Sequence, residues 1–185
     1  MRRFRLVAIG LLIVGLACAA SAPGSPALGE VRIPCLLSPF SGCSFTFVSP
    51  EYAARPVQAL DPQKALEAVN AFRVNNGLAT LVLDARLSRA AAMQSNSQAA
   101  RSWMGHYGAD GSTAKDRAAR AGYHAKIASE NVASGQKSFA DAMHFWEESS
   151  GHRTNLLRPN VTAIGVAMAK NGSGRAYWTL VLAAE

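Results

Sequence analysis

Apolar and polar positions divide the chain into a leading apolar block, a stretch without period, and a periodic remainder. Leu6 to Ala20 is an uncharged, mostly apolar run. Residues 23–60 hold six of the eight prolines, at Pro23, Pro26, Pro34, Pro39, Pro50 and Pro56. Proline removes a backbone donor and restricts the residue before it, so this stretch excludes long helices. Within it, Ser44 to Val48 is β-branched and aromatic and reads as a short strand.

Regular periodicity begins at Asp61-Pro62, where Asp suits a helix N-cap and Pro the first helical position. Leu66, Val69 and Phe72 repeat at helical spacing, and Asn75-Asn76-Gly77 ends the run. A second helix is expected from Asp84 to about Trp103, rich in alanine and fit for close packing. A third, shorter helix follows Ser112-Thr113 and stops at Gly122. A fourth starts at Ser138, with Phe139, Ala142, Met143 and Trp146 on one stripe. The pattern then changes period. Val161 to Ala169 and Tyr177 to Ala183 are strand-like, joined by Asn171-Gly172-Ser173-Gly174 as a hairpin. Helices followed by a hairpin predict an α+β fold.

Composition sharpens this picture. With 185 residues, one domain is expected. Hydrophobic residues at 49% against charged residues at 17% exclude wholesale disorder. A single apolar run, at the N-terminus, excludes a multi-span membrane protein. Arg2, Arg3 and Arg5 precede that run, and Ala17-Cys18-Ala19 or Ala20-Ser21-Ala22 closes it with small residues. Residues 1–22 therefore read as a signal peptide, and the expected location is secreted or periplasmic. Pro23 favours a cut after Ala19 or Ala20 over one after Ala22. Leu16-Ala17-Cys18 partly matches a lipoprotein box, with lipid anchoring through Cys18 as the minor alternative.

The net charge of +7 suggests nucleic acid at first. Without the three leader arginines, 16 basic and 12 acidic residues remain, a balance of +4. These are scattered, with no basic run or basic-aromatic alternation, so no nucleic-acid partner is expected. Cys35 and Cys43 form an even pair in an oxidising compartment, and the loop with Pro39 and Gly42 can close, so a Cys35–Cys43 disulfide is expected. There is no CxxC for a redox or cysteine-type zinc site. HExxH, GxSxG, Walker A and GxGxxG are absent as well. Asn160-Val161-Thr162 and Asn171-Gly172-Ser173 match the glycosylation pattern, which matters only in a eukaryotic secretory pathway.

Three segments of the periodic region carry candidate chemistry: Met104-Gly105-His106-Tyr107-Gly108, Ala128-Ser129-Glu130-Asn131-Val132-Ala133, and Trp146-Glu147-Glu148-Ser149-Ser150-Gly151-His152-Arg153. Two of them place a His at a helix-to-loop junction beside Gly. The middle one sets a carboxylate beside an amide. Taken singly, each also suits a structural part: a His can bond a turn, and Glu130-Asn131 can cap or bridge backbone.

In this order the segments resemble the CAP superfamily, the SCP-like domain of cysteine-rich secretory proteins, venom antigens and plant pathogenesis-related proteins. The bacterial secreted branch is most similar. The resemblance runs from about Leu66 to Leu182. It rests on Asn70-Ala71-Phe72-Arg73, Asn76-Gly77-Leu78, the His106 segment, and Asp116-Arg117 with Ala121-Gly122-Tyr123. It rests further on Ser129-Glu130-Asn131, Trp146 with Gly151-His152-Arg153-Thr154-Asn155-Leu156-Leu157, Ile164-Gly165-Val166-Ala167, and Tyr177-Trp178-Thr179.

The resemblance implies a three-layer α-β-α sandwich over residues 61–185, with a cleft of two histidines and usually two glutamates. The histidines fall on His106 and His152 and one glutamate on Glu130. The position of the second is Ser149. On a regular helix with Phe139 at zero, the apolar stripe centres near ~350°, Ser149 near ~280°, Glu147 near ~80°, Glu148 near ~180° and His144 near ~140°. Neither glutamate then reaches the second position, and His144 faces solvent. His124 has no evident partner.

The candidate site is thus His106, Glu130, Asn131, Ser149 and His152. His106 and His152 suit a divalent cation such as zinc, with Glu130 as ligand or as the group orienting a His. The same residues suit general acid–base work. No activated nucleophile is evident, since Ser149 and Ser150 lack an evident oxyanion hole. Three functions remain: a binding module for a small or lipid-like ligand, the last by resemblance; a metal-assisted or acid–base extracellular hydrolase; and a cell-envelope interaction protein. A monomer without a membrane span after signal removal is expected.

Overall fold

The computed structural model describes residues 49–185. The leader, Cys18, the Cys35–Cys43 pair and the Ser44–Val48 strand lie outside the described residues. The chain divides into units Met1–Ala53 and Ala54–Glu185. Of the first, the described part is the start of helix α1 (Pro50–Ala54), where Ser49 Oγ accepts from the Tyr52 N–H at 3.1 Å.

In the second unit, α2 (Pro62–Asn75) begins where capping chemistry places it. The Asp61 carboxylate accepts from the N–H groups of Gln63 and Lys64 at 3.0 and 3.2 Å. Helix α3 (Ala85–Arg101) is capped in the same way by Asp84. It ends two residues before Trp103, because Ser102 turns left-handed at φ 51°. Helix α4 (Ala114–Arg120) opens on a reciprocal Thr113–Asp116 capping box and stops before Gly122 at φ 87°. Helix α5 (Phe139–Glu148) is capped by Ser138. A separate short helix, α6 (Ser150–Leu156), follows.

The hairpin strands are β3 (Ala163–Lys170) and β4 (Ala176–Ala184), paired antiparallel with Gly165 opposite Val181. Two further strands complete a sheet of order β1-β3-β4-β2. Strand β1 (Val82–Leu83) runs parallel to β3, and β2 (Ile127–Ser134) runs antiparallel to β4. Neither belongs to the hairpin that hydrophobic pattern identifies. Strand β1 is two residues long. Strand β2 carries Ser129, Glu130 and Asn131 in its middle, which hides it from an apolar count.

Residues Ala176 to Ala183 of β4 are all buried, as a strand covered on both faces must be. Its Trp178, Leu180 and Leu182 join Val69, Trp146 and Leu156 on the α2, α5 and α6 side. Its Val181 and Ala183 join Leu87, Ala91 and Ala118 on the α3 and α4 side. The fold is therefore an α+β, three-layer α-β-α sandwich. Helix α3 lies so close to the sheet that a Cβ on Gly165 would sit 2.0 Å from the Leu87 carbonyl carbon and 2.1 Å from the Ser88 nitrogen. Polar bonds lock the same contact: Ser95 Oγ bonds Thr179 Oγ1 at 2.9 Å, and Gln98 Nε2 donates to that oxygen at 3.2 Å.

Candidate functional site

Strand β2 is the outer strand beside β4, and its side chains alternate between the two helical layers. Glu130, opposite Val181, faces the α3 and α4 layer. Asn131, opposite Leu180, faces the α5 and α6 layer. Two consecutive polar residues thereby found two polar groups, one on each side of the strand.

On the first side, the Glu130 side chain is 4% exposed and both of its oxygens are engaged. Oε1 lies 3.0 Å from His106 Nδ1. Oε2 accepts from Arg117 Nη2. Arg117, buried on α4, also donates to the backbone carbonyl oxygens of Ser112 and His106. The guanidinium thus fixes the carboxylate and the loop that carries His106. The His106 side chain stays 55% exposed. Its bond to Glu130 raises its pKa above 6.5, with partial burial opposing.

On the second side, Asn131 is fully buried. Its Nδ2 donates to the His152 carbonyl oxygen at 3.0 Å, and its Oδ1 accepts from Asn155 Nδ2 at 2.9 Å. Asn155 Nδ2 also reaches the Glu130 carbonyl oxygen at 3.1 Å. These bonds tie α6 to β2. Trp146 Nε1 ties α5 to the same strand through the Val132 carbonyl oxygen at 3.0 Å. The His152 ring packs against Phe145, with centroids 5.5 Å apart. Its Nδ1 is buried without a partner, and its pKa is lowered, first by burial and then by the charge of His106.

His106, Glu130 and His152 therefore meet at β2, in two hydrogen-bonded groups coupled by charge. Asn131 is buried, and both of its amide heteroatoms bond α6. Ser149 departs from the helical expectation. Helix α5 ends at Glu148, and Ser149 is extended at φ −91° and ψ 120°, so its angle on a regular helix does not apply. His152 likewise stands inside α6 rather than at a helix-to-loop junction. A helix ending in Glu-Glu-Ser-Ser-Gly has no apolar reason to continue straight, and the chain turns there to lay Leu156 into the core. Glu147 is half-buried and its pKa is raised by that burial. The charges acting on it are His144, Arg153 and Glu148, not the two site histidines. His144 and His124 are exposed.

Arg117 and Asn155 belong to the site without having been singled out as site residues. The signal for Arg117 was present: it shares one face of α4 with buried Ala118 and Ala121, and a charge on an apolar face implies a buried partner. Asn155 carries no such signal.

With both Glu130 oxygens engaged, two imidazoles remain, fewer than the three protein ligands usual for catalytic zinc. No group of three or more His, Cys, Asp or Glu side chains among the described residues is arranged to hold a metal ion. Glu130 fits as the group that orients His106, not as a ligand, so no metal centre is assigned.

Comparison with known proteins gives the family. The chain is 35% identical over 117 residues to the uncharacterised protein YkwD of Bacillus subtilis (strain 168), a match covering 63% of this chain and 44% of the relative. It spans less than half the length of the curated relatives it matches. The fold is similar to an extracellular protein containing a SCP domain from Bacillus anthracis str. Ames, with TM-score 0.62 and 24% identity, covering 67% of this chain and 40% of that one. It is also similar to an outer surface protein from Borrelia burgdorferi, with TM-score 0.60 and 17% identity, covering 69% of this chain and 97% of that one. Residues 66–182 match the CAP family, described as the cysteine-rich secretory protein family, and the chain belongs to it.

Proposed function

We propose that this protein is an exported binding module whose His106–His152 cleft takes a small amphipathic ligand with a carboxylate or similar acceptor head. One observation carries the proposal: a half-exposed imidazole is fixed by a fully buried ion pair. Glu130 and Arg117 hold His106 through Nδ1, which leaves Nε2 as its open polar atom. His106 is biased toward its proton and donates to the head group, while His152 is biased toward neutrality. Phe145, 37% exposed, packs on the His152 ring, and Tyr107, 62% exposed, follows His106 in the chain; both offer apolar surface.

A serine nucleophile acting through His152 Nδ1 finds no support among the described residues. Ser149 makes no cap bond, and His152 Nδ1 bonds neither Ser149 nor Ser150. Export is supported by the charged, apolar and small-residue order of residues 1–22. Two proteins of similar fold, one extracellular and one an outer surface protein, agree with it.

A long-chain fatty acid tests the reading. Titrated into the full chain and followed by calorimetry, it binds saturably, and the His106→Ala/His152→Ala variant loses that binding. A flat titration, or equal binding by the double variant, sinks the proposal.

A further inference from the structure

A second concavity lies where the C-terminus of α3 meets the β3–β4 hairpin. It is an open groove of about 390 Å³ lined by Trp103, Met104, Ser134, Arg175 and Tyr177, with Ser102 at the helix end and Asn171 and Ser173 at the hairpin tip. That volume falls in the roughly 300–1,000 Å³ range of small-molecule sites. None of these residues belongs to the site proposed around His106 and His152.

Each wall of the concavity is held in place. Ser102, left-handed at φ 51°, accepts at Oγ from Asn171 Nδ2 at 2.9 Å. Asn171 Oδ1 in turn accepts from the N–H groups of Ser173 and Arg175 and from Ser173 Oγ, so hairpin tip and helix end form one bonded unit. The Trp103 indole lies on Gly105, where a Cβ would stand 2.4 Å from two of its ring carbons. The Arg101 guanidinium sits 5.3 Å from the indole centroid. Even so, Trp103 remains 55% exposed, whereas Trp146 and Trp178 are fully buried. Across the concavity, Arg175 lies over Gly135, where an added Cβ would stand 3.0 Å from Arg175 Nη2. No carboxylate lines the concavity, and Arg175 forms no ion pair among the described residues.

We propose that this concavity binds a saccharide bearing a carboxylate. An indole that is 55% exposed offers apolar surface to a sugar ring, with a polar N–H at its edge. Ser102, Ser134 and Ser173 add hydroxyls to the lining, those of Ser102 and Ser173 being held by Asn171, which makes the wall polar. Arg175 supplies the planar donor fork that matches a carboxylate. A lipid tail would cover the Arg175 guanidinium without giving it an anionic partner, which is costly.

Trp103 makes the test direct, because acrylamide quenching of the folded protein reports the one exposed tryptophan. The full chain is titrated with oligogalacturonate, which carries carboxylates, and with a neutral chito-oligosaccharide. Oligogalacturonate protects Trp103 from acrylamide and binds more tightly than the neutral sugar. Calorimetry then shows a loss of about tenfold or more for Arg175→Gln, the worth of a hydrogen bond to a charged group. Trp103→Ala weakens both sugars. No saturable binding of either sugar overturns the proposal, as does binding unaffected by Arg175→Gln and Trp103→Ala. Loss of saccharide binding in His152→Ala would place the sugar in the other cleft and overturn the assignment.

Discussion

Glu130 and Asn131 are adjacent in the chain yet serve opposite layers of the sandwich. Glu130 grips His106 and Arg117 on one side of β2, and Asn131 grips Asn155 and the His152 backbone on the other. The two-residue alternation of a strand makes this possible. A one-residue slip of β2 would exchange the two groups and break both. The carboxylate-amide dipeptide is thus the hub that couples the His106 loop to α6.

The buried ion pair should show strong non-additivity. Arg117 and Glu130 side chains are 2% and 4% exposed. Arg117→Leu alone leaves a buried carboxylate and is expected to cost about 3–5 kcal/mol, as is Glu130→Leu. The double substitution is expected to cost less than the sum of the two. Urea denaturation of the four proteins measures the cycle, and strict additivity would refute the pairing.

The two site histidines should titrate in opposite directions. By ring-proton NMR, His106 is expected above 6.5 and His152 below it. Glu130→Gln should bring the His106 value down, because the bond to that carboxylate is its largest cause. The sign for stability follows from linkage. The His106 contribution is complete below pH 6.5 and is lost as pH rises through its folded value. The His152 contribution is present above pH 6.5 and is lost as pH falls through its folded value. Matching titrations for the two rings would contradict the geometry.

Gly165→Ala tests the packing of α3 on the sheet. The added methyl meets backbone, at 2.0 Å from Leu87, and backbone cannot rotate away. Overpacking in a close-packed core costs about 1–3 kcal/mol or more. Thermal unfolding should show a clear loss, and an unchanged midpoint would mean that α3 can move freely.

Gly105→Ala should act differently, because its methyl meets the far end of the Trp103 side chain at 2.4 Å. The indole swings away at small cost to stability. The expected readout is changed acrylamide quenching with a nearly unchanged melting temperature. Unaltered quenching would show that Trp103 does not rest on Gly105.

Asn131→Ala removes two side-chain bonds from a fully buried position. Leaving the Asn155 amide without that acceptor is expected to cost about 1–3 kcal/mol. Hydrogen exchange should quicken in α6 before it does in α3. Equal exchange throughout would argue that Asn131 does not hold α6.

The sequence by itself determined where helices begin. Asp61, Asp84, Thr113 and Ser138 cap α2, α3, α4 and α5 because capping is a local bond between a side chain and the next turn. It also determined the hairpin, whose apolar runs and Asn-Gly-Ser-Gly turn need only each other. The family motifs marked His106, Glu130 and His152. Tertiary structure decided what those residues do. It built β2 from a polar segment whose burial makes sense only with β4 beside it and helices on both faces. It turned the chain at Ser149 so that Leu156 enters the core and His152 lies inside α6, bonded through its backbone to Asn131. It brought Arg117 to Glu130, and that pairing settles which atoms of the site stay open. Caps and turns span a few residues and can be read locally. A buried charge is tolerable only with a partner, and the partner's place is set by the packing of whole layers.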